Sequence, residues 1–349
     1  MNSTIAKNVT SGPGNPRNSE GSFIRLNDGR LMFIYSRYNG TSWHDHESAD
    51  LAVLYSDDDG QNWSDQFGIL FHNQGRGNLM SASLLRLHDG RIALVYLHKR
   101  FIEERYCDCR PVIRFSTDEG ASWSEPTYCI DSPGYYVLNN DRLIQLKSGR
   151  LILVTGYHRW KLPDISSRAV TCIFYSDDGG LNWQEAPGWI LPPQESGSGL
   201  QEPGVIELAD GRLMAWFRTD LGCQYKSFSH DGGLTWSRAV PAPEFRSPAS
   251  PLCMKRSSAG ALAAIWNDQA PRWGIIPDEC SWGRTPLVLA FSEDEGKNWQ
   301  DHQMIENDPA HGYCYTAMYF TADALLLAYC CGGGQTACLQ DLRLRRIGF

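Results

Sequence analysis

Tyr55-Ser-Asp-Asp-Asp-Gly-Gln-Asn-Trp-Ser64 decides the fold, because the chain writes this phrase five times. The other copies run Phe115–Ser124, Tyr175–Gln184, Phe228–Ser237 and Phe291–Gln300. All share the frame aromatic, Ser, any, Asp, any, Gly, any, any, Trp. This is the chemistry of a hairpin turn. Ser and Asp bond to the local backbone, Gly takes a dihedral that a side chain would forbid, and Trp folds back as an apolar plug. The serines stand at 56, 116, 176, 229 and 292, giving spacings of 60, 60, 53 and 63 residues. A period of that size flanked by strands predicts a repeat architecture rather than one sheet.

A second repeat lies upstream of the first. Ile24-Arg-Leu-Asn-Asp-Gly-Arg-Leu-Met-Phe-Ile-Tyr35 is a strand, an Asp-Gly turn and a strand, the strongest short hairpin signal. It recurs at 84–95, 143–154 and 205–216, and in weaker form at 254–265 and 318–329. Six hairpins and five phrases divide the 349 residues into units of roughly 58. Each unit is expected to be a four-stranded antiparallel blade. The whole is expected to be an all-β, six-bladed β-propeller forming a single domain over 1–349, since closure leaves only short protected edges. The last unit lacks the phrase, so a terminal strand should complete it. Leu342–Ile347 and Ile5–Val9 are the candidates.

Composition narrows the function. A net charge of −8 offers no basic stripe for nucleic acid, so an anionic ligand must be met by locally clustered Arg. The eleven cysteines include Cys107 and Cys109 two apart and Cys330 beside Cys331, spacings of neither a zinc site nor a redox motif. They predict buried thiols in a reducing compartment and no metal or other cofactor. No apolar leader core or membrane span is visible. The expectation is a cytoplasmic protein as the sequence stands, secreted or periplasmic if a leader has been removed.

With these phrases in these positions, the chain resembles the sialidase (neuraminidase) superfamily, six-bladed propellers that carry the same phrase as the Asp box. The likeness covers nearly the whole chain. It implies an exo-sialidase-like retaining glycoside hydrolase that releases a terminal α-linked sialic acid or a related 2-keto acidic sugar. The boxes themselves lie at the blade periphery in that family, so activity must be argued from the site.

In the family, three arginines from separate blades hold the substrate carboxylate, because guanidinium forks make bidentate bonds that Lys cannot reproduce. Arg17 stands ahead of the first hairpin, although the Ile-Pro that follows in the family is missing. Gln201-Glu-Pro-Gly-Val-Ile-Glu-Leu-Ala-Asp-Gly-Arg-Leu-Met-Ala-Trp-Phe-Arg218 matches the segment that supplies Glu202 and Arg218. Gly283-Arg-Thr-Pro, just before the last box, supplies Arg284. The nucleophile is a Tyr near the start of the last blade, paired with the Glu. His311-Gly-Tyr-Cys-Tyr-Thr-Ala-Met318 places Tyr315 there, with Tyr313 as its rival. A carboxylate nucleophile would be repelled by an anomeric carbon that already bears one, whereas a neutral Tyr activated by Glu202 is not.

The loop before the first box, Tyr38 to Tyr55, departs from the family. Its acid/base Asp falls on His46 or, with a slip of one, on Asp45. Either could move a proton near neutral pH. Arg142 and Asn140, at the start of the third hairpin, are further candidates for substrate contact, as are Asn78, Ser81 and Ser250 at the equivalent places. Two alternatives stay open: a propeller hydrolase or lyase on another acidic sugar such as a uronate, and a non-catalytic carbohydrate-binding propeller. The expected partner in each case is an acidic glycan, not nucleic acid or a membrane. Oligomeric state is not readable.

Overall fold

A computed structural model describes residues 2–102, 106–161 and 164–349. The protein is all-β. Among the described residues the only helical elements are two 3-10 turns, Pro271–Trp273 and Glu279–Ser281. Four sheets have four strands in antiparallel order, and the fifth has nine.

The first sheet is Asn18–Arg25, Leu31–Tyr38, Ala49–Ser56 and Gly68–Phe71. Two more run Gln201–Glu207 to Val240–Arg246 and Cys253–Arg256 to Gln300–Glu306. The nine-stranded sheet differs from six separate blades. It contains the run Gly77–Arg86, Ile92–Ile102, Tyr106–Ser116, Thr127–Tyr128 and a second run from Tyr135–Val137 to Gln184–Glu185. A single parallel pair, Tyr135 with Cys109, joins the two runs. The cause is local: the strand Tyr106–Ser116 overreaches, and the Gly134 carbonyl accepts from the Cys109 amide at 2.8 Å. In the last sheet both terminal candidates are used. Cys314–Phe320, Ala324–Cys330 and Leu342–Gly348 are completed at the edge by Asn2–Val9, so the two ends of the chain share one sheet.

The five repeated turns are built alike. In each, the Ser hydroxyl donates to the Asp carboxylate at 2.7–2.9 Å, and the Gly amide donates back to the Ser hydroxyl at 2.8–3.0 Å. The turn glycine has φ of 78° at Gly60 and 83° at Gly120. A Cβ there would collide with the neighbouring unit, 2.7 Å from Leu326 and 2.5 Å from Met32 respectively. Gly180 and Gly233 face Phe115 and Ile152 in the same way, at 2.8 and 2.9 Å, and Gly296 faces Met214 at an ordinary contact distance of 3.4 Å. Each turn thus packs on the unit before it, and the first packs on the last; the fifth and last units, which no turn joins, share a hydrophobic core.

The opposite ends of the units hold a second repeated device. The first strands of four units, starting at Asn18, Gly77, Gln201 and Cys314, each carry a bulge near their beginning. The residues there, Glu20, Ser81, Glu202 and Tyr315, have φ of 52°, 59°, 47° and 56°. Asp141 takes 62° at the matching place in the third unit. Non-glycine residues rarely adopt this conformation, and a bulge re-aims the side chain it carries. Four of the five line one cavity.

Candidate active site

The cavity has a volume of about 500 Å³, a size suited to a small ligand. Glu20, Ser81, Glu202 and Tyr315 enter from the bulges. Arg218 comes from the end of a second strand, and Arg284 from the segment before the strand Leu287–Ser292. Asp45 and His46 come from the loop between the second and third strands of the first sheet.

Tyr315 donates its hydroxyl hydrogen to Glu202 Oε1 at 2.8 Å. Arg218 Nη1 donates to the same oxygen at 2.6 Å. Arg284 stands beside the pair, its guanidinium carbon 5.5 Å from the centre of the Tyr315 ring. Burial, followed by the Glu202 carboxylate, holds the Tyr315 phenol well above its usual range, although Arg284 and Arg218 pull the other way. The phenol is therefore neutral at pH 7 and needs a base, which is the group it touches. Glu202 Oε2 is buried and has no hydrogen-bond partner among the described residues. Arg284 donates to the Cys314 sulfur at 3.0 Å and pairs with no carboxylate among the described residues. A buried guanidinium without a counter-charge is what an anionic ligand requires.

Arg17 is one layer behind. It does not line the cavity, because its partners cover it. Nη2 donates to Glu20 at 2.9 Å, and Nη1 donates to Asp45 Oδ1 at 2.5 Å. Desolvation pushes the Asp45 carboxyl up, but Arg17 and then Lys99 outweigh it and hold the group below the usual carboxylate range. His46 is shifted down, first by burial and then by Lys99, so at neutral pH its ring is mostly uncharged. Its Nε2 lies 3.3 Å from the Tyr135 hydroxyl.

The structure gathers Tyr315, Glu202, Arg218, Arg284, Asp45 and His46 in one place, and it leaves Tyr313 outside. Tyr313 is buried against Tyr329, away from the cavity. Arg142 and Asn140 are not brought to this cavity either. Arg142 donates to the Leu252 carbonyl at 2.6 Å and borders a separate cavity with Asp141 and Lys255. Asn140 donates to the carbonyls of Gly21 and Tyr315, at 2.7 and 3.1 Å, and so pins the backbone that carries Tyr315. Ser81 reaches the cavity. Asn78 works beside it, holding the carbonyls of Asp45 and Glu47 at 2.7 and 2.9 Å.

Among the lining residues that escaped the sequence reading are Glu20 and Lys99. Glu20 had a signal: it stands eight residues ahead of its turn Asp, as Ser81, Glu202 and Tyr315 do. Lys99 had none. It is 3% exposed, donates to the Asp45 carbonyl at 3.1 Å, and forms no ion pair among the described residues.

These features coincide with family membership. Residues 43–327 match the BNR repeat-like domain, and the chain belongs to that family, within the superfamily that includes the sialidases. An anhydrosialidase of Macrobdella decora is 31% identical over 136 residues, which are 37% of this chain and 16% of that protein. The chain thus matches only a small part of that relative's length. Among solved structures, a protein of unknown function from Dyadobacter fermentans superposes with a TM-score of 0.76 at 18% identity, covering 99% of both chains. An intramolecular trans-sialidase from Ruminococcus gnavus gives 0.73 at 16% identity, covering 99% of this chain and 96% of its own. At such identities the structures establish the likeness of fold.

Proposed function

We propose that the chain is a single-domain, six-bladed propeller acting as a retaining, exo-sialidase-like glycoside hydrolase on a terminal α-linked sialic acid or a related 2-keto acidic sugar. The turn-to-neighbour contacts, the core shared by the fifth and last units and the shared terminal sheet support the propeller. The merged nine-stranded sheet is then two blades linked at one residue pair. The observation that carries the chemistry is the Tyr315 hydroxyl on Glu202 Oε1 at 2.8 Å, with Arg218 and Arg284 flanking a 500 Å³ cavity. A carbohydrate-binding propeller has no use for a phenol paired with a buried base.

Arg284 and Arg218 hold the substrate carboxylate, which places the anomeric carbon over Tyr315. The phenol oxygen bonds to that carbon as its proton passes to Glu202. The bond to the leaving oxygen breaks, and Asp45 supplies that oxygen's proton. Asp45 then takes a proton from water, the water oxygen replaces Tyr315 on the carbon, and Glu202 returns the phenol proton. Two displacements retain configuration. The low-lying Asp45 carboxyl suits the base step. For the acid step it must lose cationic neighbours.

Release of a fluorogenic aglycone from an α-sialoside tests the reading. Turnover by the wild type and loss of it in Tyr315→Phe is the expected pair of results. A folded wild type that is inert on sialosides but turns over a fluorogenic uronide would move the activity to the other acidic sugar.

A further inference from the structure

Of the three arginines that the sequence offers for carboxylate binding, Arg17 is the one held by two carboxylates, Glu20 and Asp45, whereas Arg218 pairs with Glu202 alone and Arg284 with none among the described residues. The Arg17 side chain is 1% exposed, while that of Asp45, which caps it, is 58% exposed. Every other face is closed. Tyr38 lies under the guanidinium, 4.7 Å from carbon to ring centre. Glu20 and Ser19 take Nη2, at 2.9 and 3.2 Å. Nη1 faces the loop, donating to Asp45 Oδ1 at 2.5 Å and, at the longer distance of 3.4 Å, to the Trp43 carbonyl, and among the described residues the bond to the exposed Asp45 side chain is the one an incoming carboxylate could replace without unpacking the core.

The loop is built to let that happen. The Asp45 backbone is held from behind, its carbonyl accepting from Asn78 at 2.7 Å and from Lys99 at 3.1 Å. Both of these donors are buried. The main chain can therefore stay in place while the side chain turns away. Resting on the acidic-sugar reading above, we infer that Asp45 is an internal stand-in for the substrate carboxylate. It occupies the anion-binding edge of Arg17 in the free protein, and an acidic sugar takes its place by carboxylate-for-carboxylate exchange.

The exchange answers the difficulty of the acid step. While Asp45 sits on Arg17 it is held ionised, and an ionised carboxylate donates no proton. When the substrate carboxylate takes over Arg17, Asp45 loses its nearest cation and gains an anion nearby, and both changes favour its protonated form. The groups left facing it are Lys99, His46, Tyr38, Tyr135 and Glu20, of which Lys99 alone is a permanent cation. The proton donor is thus armed only with an acidic sugar in place, and sugars without a carboxylate leave it disarmed.

Removing the stand-in should leave Arg17 open to anions. Calorimetric titration at pH 7 of N-acetylneuraminic acid and of its methyl ester, with the wild type and with Asp45→Asn, separates the contributions. The variant should bind the acid at least about tenfold more tightly, with ester affinity within about twofold of the wild type, while turnover falls. The ratio of acid to ester affinity cancels any neutral contact of Asp45 with the sugar. Asp45→Ser repeats the measurement if thermal unfolding shows the Asn variant to be misfolded. A ratio that is unchanged or lower in the variant, with the wild type binding the acid, overturns the exchange alone. No binding of the acid by either protein overturns the sialic-acid reading and the exchange with it.

Discussion

The two ends of each unit use one backbone device apiece and treat their side chains oppositely. At the repeated turns the same Ser, Asp and Gly recur, because each group there bonds to another member of the turn or packs on the adjacent unit. At the other end the backbone recurs, with φ of 47–62° at Glu20, Ser81, Asp141, Glu202 and Tyr315, but the five side chains are of four residue types. Where the chain touches itself, geometry dictates the residue. Where it faces the cavity, geometry dictates only the direction, and the residue is free to serve a ligand.

Changes at the bulges should therefore strike turnover, and changes at the turns should strike stability. The largest effects are expected at the reacting pair. Tyr315→Phe and Glu202→Gln should each lower kcat by about a thousandfold or more, with little change in Tm, as followed by fluorogenic sialoside hydrolysis and thermal unfolding. A full-rate Tyr315→Phe would break the contrast at its centre. Next comes Arg284→Lys, which keeps the charge and loses the planar fork. Its kcat/KM should fall about a hundredfold, or ~2.7 kcal/mol.

The turns should give the reverse pattern. Ser176→Ala removes the hydroxyl that donates to Asp178 at 2.7 Å and accepts from the buried Gly180 amide at 2.9 Å. A stability loss of about 1–2 kcal/mol should follow, with turnover per folded molecule unchanged. Urea unfolding monitored alongside activity would show whether the two properties separate.

The smallest effect is a pH signature of the turns. Donors from Asn182 hold the Asp178 carboxyl at about 2, and Asn298 does the same for Asp294. At Asp231 desolvation pushes upward, but the Thr235 donors prevail and the group again lies at about 2. An unfolded Asp titrates at about 3.9. A carboxyl whose folded value is depressed contributes its stability in full above the unfolded value and loses it as pH falls through the folded one. Tm should therefore be insensitive to these groups above about pH 5 and should drop between about pH 4 and 2. Asp178→Asn should flatten part of that drop. A Tm already falling between pH 7 and 5 in the wild type but not in the variant would contradict the assignment.

The turns and hairpins were legible in the sequence because their bonds close within ten residues, so local chemistry reports them. Glu202 and Tyr315 were legible because the segments that carry them, 201–218 and 311–318, resemble the family's stretches for the base and the nucleophile. Arg142, judged by its place at the start of a hairpin, shows where sequence reasoning stops. It stands one residue past the left-handed Asp141, and its guanidinium turns into the packing against Leu252 and Trp216. The join between Tyr135 and Cys109 and the burial of Lys99 under the Asp45 loop depend on segments far apart in the chain. The occupied state of Arg17 was hidden for the same reason, since Asp45 is 28 residues away.

The central claim is that Tyr315 forms the bond to the sugar. Incubation with a 2,3-difluorinated acidic sugar, whose second fluorine slows breakdown of a glycosyl–enzyme, followed by intact mass and peptide mapping, tests it directly. The account predicts one sugar added per chain, carried on the peptide holding Tyr315 and absent in Tyr315→Phe. An adduct on Asp45 or Glu202, or the same adduct in Tyr315→Phe, would contradict it.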